Sequence, residues 1–142
     1  MAATAFTFYN KAKKYIGSGT IQLGTTTIRA KLCTSTSNAS TFTLSTFASI
    51  SNEIGTSGGY AHQSLGSVTW TTGASAKQMA FDAADLVWTA TGGPLTNVKY
   101  LALGVSGGKA LCWSKLSTSQ FTVTIGNTLT IQFAAAGIFT LT

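Results

Sequence analysis

Six side chains hold most of the reactive chemistry of this 142-residue chain: Glu53, Asp82, Asp85, His62, Cys33 and Cys112, its only acids, histidine and cysteines. Glycoside hydrolysis needs two carboxylates facing each other across a bond. Asp82 and Asp85 are too close in sequence for that, and they read as turn residues. A Ser-His-acid triad would require His62. Ser64 is near it, but no GxSxG nucleophile elbow is present, so His62 reads as a loop residue. One histidine, two distant cysteines and three acids make no metal-ligand cluster. Cys33 and Cys112 show no CxxC spacing and lie in strand-like runs. They read as small buried hydrophobes, with a disulfide between them left open. The glycine loops lack the GK[ST] of a phosphate-binding loop. The expectation is therefore a protein that is not an enzyme, with no catalytic residue, no cofactor and no metal.

Binding chemistry is better represented. Nine Lys and Arg residues face three acids, for a net charge of +6 and a pI near 9.6. Such a balance serves solubility, or it serves an acidic partner. Lys11, Lys13, Lys14, Arg29 and Lys31 are the candidate partner contacts. The cations are scattered and form no single stripe, which argues against specific nucleic-acid binding. Lys99 beside Tyr100, and Trp113 near Lys115, are weak aromatic-basic signals, and the two aromatics read as core. A glycan-binding module would use exposed aromatics, and the sequence does not assign Trp70, Trp88 or Trp113 to the surface.

The elements that must position these residues are mostly strands. Charged residues are only 8% of the chain, far below the usual ~25%. Hydrophobic residues are 44%, too many for a disordered tail. Thr favours strands and Gly and Ser favour turns, so the balance reads all-β. One helix is predicted over about 7–16, with Phe8, Ala12, Tyr15 and Ile16 on one face, Thr7 as its cap and Gly17 as its end. Lys11, Lys13 and Lys14 then point away from that face. Ile21 and Leu23 read as a short strand. Ile28, Ala30 and Leu32 alternate with Arg29, Lys31 and Cys33, a half-buried strand with a mostly polar outer face. Leu44, Phe47, Ile50 and Ile54 suggest a helical turn. Further strands follow at Val68–Trp70, Met79–Phe81, Leu86–Trp88, Val98–Ala102, Leu111–Trp113, Phe121–Ile125, Leu129–Phe133 and Ile138–Leu141. Ser106-Gly107-Gly108 and Gly126-Asn127 are the hairpin signals. About eight short strands at such spacing predict a single domain over 1–142, an antiparallel sandwich of jelly-roll type with one short N-terminal helix; the spacing leaves the strand order open, and a Greek-key barrel fits as well. No stretch approaches the ~18 apolar residues of a membrane span, and no secretory signal is visible, so folding in a host cytoplasm with no membrane partner is expected.

The ordered motifs carry a resemblance. The opening YNKAKKYIGSGTIQLGTTTIRAKLCTS resembles that of small virion structural proteins of tailed bacteriophages, which begin with a lysine-bearing helix, a G-x-I-x-L strand and a strand ending in L-x-T-S. NEIGTSGGYAHQSL is similar to their N-E-V-x-G-x-G-Y segment, and FDAADLVWTA to their F-D-A-D-D-x-x-W motif, with Ala84 displacing the second aspartate toward Asp85. VKYLALGV with ALCWSKL is similar to their central hairpin. FTVTIGNTLTIQFAAAGIFTLT resembles their ending, with Phe133 where the family often has Trp. The resemblance implies a virion structural protein without activity or cofactor. By analogy with β-rich accessory head proteins, it implies a cement or decoration protein on the capsid exterior. Its partners would be the major capsid protein and further copies of itself, as a homotrimer. A tail, collar or fibre-associated protein is the first alternative, and a glycan-binding module the second.

Overall fold

Thr, Val, Ile and aromatic residues alternate with polar ones between Gly, Ser and Asn turns, which favours short strands over helix. The computed structural model describes residues 1–3 and 5–142. Its N-terminal half holds β1 (Thr7–Phe8), α1 (Ala12–Gly17), β2 (Ile28–Cys33), β3 (Gln63–Ser64) and β4 (Thr69–Thr72). The second half is β5 (Met79–Asp82), β6 (Leu86–Thr89), β7 (Leu95–Val98), β8 (Tyr100–Val105), β9 (Ala110–Lys115), β10 (Phe121–Val123), β11 (Thr128–Ile131) and β12 (Phe139–Leu141). The fold is all-β, and every strand pair is antiparallel.

The last eight strands pair as nested partners: β5 with β12, β6 with β11, β7 with β10, and β8 with β9. That nesting is a long hairpin rolled up on itself, which is how a jelly roll closes an antiparallel sheet. The tight end of the hairpin is the turn at Ser106–Gly107, where Gly107 takes φ +68 and Gly108 donates to the Val105 carbonyl. The earlier strands add to the edges. β1, β2 and β3 join β8 and β9 in a five-stranded sheet of order β1-β9-β8-β2-β3, and β4 joins β5 and β12.

Aromatic rings hold the two larger sheets together. Phe8 of β1 meets Phe139 of β12 edge-on at 4.6 Å, and Phe139 stacks on Phe81 of β5 at 5.1 Å. Phe81 is fully buried. Burying such a ring contributes roughly 1.5–3 kcal/mol, and each aromatic pair somewhat more. The buried apolar residues form one continuous core.

The N-terminal expectations need correction. The helix runs only from Ala12 to Gly17, not over 7–16. Residues 7 and 8 are taken instead by the β9 edge, opposite Trp113 and Cys112. Cross-strand hydrogen bonds and the Phe8–Phe139 contact outweigh one extra helical turn, and Lys11 becomes the residue that starts the helix. Ile21 and Leu23 are buried but lie in turns, not in a strand. The Gly126–Asn127 turn forms, with Asn127 donating to the Thr124 carbonyl, yet it joins no hairpin. Its flanking strands β10 and β11 pair with β7 and β6. The helical turn near Phe47 is a single 3-10 turn over Phe47–Ser49.

Candidate interaction surface

The register of β2 decides the fate of two predicted contact residues. Arg29, Lys31 and Cys33 share one face of the five-stranded sheet with Ala102, Tyr100 and Trp113. Segment 34–54 folds back over the β2 part of that face. The Lys31 ammonium donates to the carbonyls of Phe47 and Ile50 at 2.9 Å each and stands 4.6 Å from the Phe47 ring centre. Only 4% of Lys31 is exposed. Lys31 is therefore not a partner contact: it ties the covering segment to the sheet. An unpaired buried ammonium would be very costly, and two carbonyls and a ring face offset that cost. Arg29 stays half-buried opposite Ser64 and Gly104. Lys11, Lys13 and Lys14 are exposed, because Ala12, Tyr15 and Ile16 turn inward.

The acids are used inside the molecule. Glu53 Oε1 accepts the Tyr60 hydroxyl at 2.5 Å and lies 2.5 Å from His62 Nε2. Tyr60 Oη accepts the Leu32 amide at 2.9 Å. This relay fastens the 52–62 region to the Leu32 end of β2, beyond the short β3, helped by Ile54 donating to the Leu32 carbonyl. Burial, reinforced by Glu53, holds the Tyr60 hydroxyl neutral far above its usual range. The sequence pattern places His62 only in a loop and gives Glu53 no role. Their meeting depends on a loop path that no local pattern encodes. Asp82 accepts from the Ala83 amide at 2.9 Å and Asp85 from the Phe133 amide at 3.1 Å. Neither is the turn residue that its spacing suggested: Asp82 closes β5 and caps the next amide, and Asp85 ties the start of β6 to the distant Phe133 amide.

Cys33 and Cys112 are free and buried. Strand register places them on opposite faces of the five-stranded sheet. Burial raises both thiols, Cys33 to about 11. Neither is a thiolate nucleophile at neutral pH. No group of three metal-ligating side chains occurs among the described residues.

Several lysines lie on aromatic rings. Lys13 stands 5.6 Å from the Phe8 ring centre, Lys109 5.2 Å from Tyr15 and Lys99 5.7 Å from Tyr100. A ring face holds an ammonium without cancelling its charge. None of Lys11, Lys13, Lys14, Lys99 or Lys109 meets a carboxylate among the described residues. The surface carried by α1 and the start of β9 is thus cationic. No family model, no curated protein and no solved structure matches this chain. Its surfaces must speak for themselves. Trp88 is buried, and Trp70 and Trp113 are half-buried. Burial withdraws Trp88 from the surface, while Trp70 and Trp113 keep part of their rings exposed.

Proposed function

We propose that this chain is a structural protein of a bacteriophage virion, a cement or decoration protein bound to the outside of the head. One observation carries the reading: each of the three acids has a hydrogen-bond partner within the chain, while the α1 lysines are exposed and meet no carboxylate among the described residues. Such a surface docks on an acidic one, and the exterior of the major capsid protein is the acidic surface proposed. Long-range attraction steers the encounter, and shape complementarity holds it. The resemblance of the ordered sequence motifs to phage virion proteins supports the same reading. So does the all-β fold, with few charges to desolvate when neighbours cover it. Assembly would take place in the host cytoplasm, with copies of the chain associating on the shell. Tail, collar or fibre association is the competing placement.

Copy number tests the proposal. Quantitative mass spectrometry of purified virions should find this chain at a level comparable to the major capsid protein. A handful of copies would move it to the neck, tail or fibres. Absence from the particle would overturn the virion reading.

A further inference from the structure

Every strand edge presents backbone donors and acceptors, and folded proteins guard such edges with charges, proline, bulges or covering segments. β4 carries no charge, proline or bulge. Its sequence is TWTT, its register against β5 is regular, and Thr69, Thr71 and Thr72 are exposed. It is also an end strand, in the order β12-β5-β4.

The direction of its free groups follows from the turn beside it. Gly73 donates to the Gln78 carbonyl at 2.7 Å. In an antiparallel ladder hydrogen-bonded pairs alternate with non-bonded ones. Thr71 with Ala80 and Thr69 with Asp82 are therefore bonded pairs, while Trp70 and Thr72 aim their amides and carbonyls away from β5. No backbone partner on that side meets Trp70 or Thr72 among the described residues. Two open residues spaced by two are what an added strand requires.

We infer that β4 pairs edge to edge with β4 of a second copy of this chain around a two-fold axis at Thr71. Trp70 then faces Thr72 of the other copy, and the reverse pair repeats the contact. Each pair exchanges two N–H···O bonds, so four backbone bonds join the copies. The result is a continuous six-stranded sheet, β12-β5-β4 from each protomer.

Charge distribution favours a second copy as occupant. The molecule carries +6, so two copies repel each other over most approaches. The β12-β5-β4 sheet is nearly free of charge, and its ends are complementary. Lys77 lies in the 73–78 connection at one end of β4, and Asp82 lies opposite Thr69 at the other. Antiparallel pairing brings the Lys77 end of each copy to the Asp82 end of the other. An interface of this kind is isologous and closed, so it stops at two protomers.

Disulfide trapping tests the register. Thr71→Cys puts a thiol on each side of the axis at a non-bonded cross-strand pair, where Cα atoms are ~4.5 Å apart and a disulfide fits. Under mild oxidation this full-length variant should become a covalent dimer, while Thr69→Cys, whose copies sit well apart, should not. The native cysteines are buried and do not interfere. Thr71→Lys places like charges at the axis, on an exposed position that leaves folding intact. It should reduce association about tenfold in sedimentation equilibrium. A monomer at all concentrations, a species of three protomers, or equal cross-linking of both cysteine variants would overturn the two-fold β4 pairing. None of these results bears on virion location, which copy number reads separately.

Discussion

Lys11 and Lys31 are the same residue type with opposite fates, and only their surroundings separate them. Lys11 starts a short helix and ends in solvent, whereas Lys31 ends on two carbonyls under a folded-back segment. Cys33, two residues further along the same strand face, is buried by that segment too. Its pKa is raised from 9.0 to about 11, chiefly by burial. The unfolded thiol titrates near 9.0, so above that pH the unfolded chain gains from ionisation and the folded chain does not. Stability from this group is therefore complete below pH 9 and falls as pH rises toward 11. Cys112, Tyr9 and Tyr60 are raised in the same direction and steepen the fall. Urea unfolding between pH 9 and 11 should show the decline. Cys33→Ala should flatten it by up to about 1.4 kcal/mol per pH unit, the slope of one proton. An unchanged slope would mean that Cys33 ionises equally in both states.

Elements are held in place at a few close approaches. Gly137, just before β12, takes φ +97, and a Cβ there would stand 2.7 Å from the Phe81 carbonyl oxygen. That same carbonyl accepts the Ile138 amide at 2.8 Å, which starts the pairing of β12 with β5. Glycine is thus required twice over, by conformation and by space. Gly137→Ala should cost roughly 1–3 kcal/mol and lower the melting temperature by several degrees. Gly17→Ala is the contrast. It ends α1 with nothing within 4 Å of a new Cβ, so it should be neutral or slightly stabilising. Thermal unfolding of the pair separates steric demand from a general intolerance of side chains. Most strands of the second half were legible in the sequence because alternation and turn residues agree there. β1 was not: Phe8 fits the helical spacing of Ala12, Tyr15 and Ile16. Only the nearby β9 edge and Phe139 draw it into a strand.

At the scale of the whole molecule, charge is the main resource. Glu53, Asp82 and Asp85 accept hydrogen bonds within the chain, and the α1 lysines meet no carboxylate among the described residues. If these lysines dock the chain on an acidic shell, occupancy on purified heads should fall as salt rises. Screening shortens the reach of such charges to about 8–10 Å at 0.1–0.15 M salt. Replacing Lys11, Lys13 and Lys14 together with Glu should lower occupancy at least about tenfold at physiological salt and leave the melting temperature within a few degrees of the parent. Unchanged occupancy across salt and in this variant would remove the electrostatic role.

Composition and periodicity determined the all-β class, most of the second-half strands and the cationic balance, because these depend on residue type and spacing along the chain. The turns at Ser106–Gly107 and Gly126–Asn127 were equally local. Tertiary structure alone decided which strands those turns connect, since nested pairing joins residues as distant as Phe81 and Phe139. It also decided that Lys31 and Cys33 are covered, that Glu53 meets Tyr60 and His62, and that the two cysteines lie on opposite sides of one sheet. The physical reason is common to all of these. Alternation shows that a strand has two faces, but burial of the polar-looking face is set by a distant segment that folds over it.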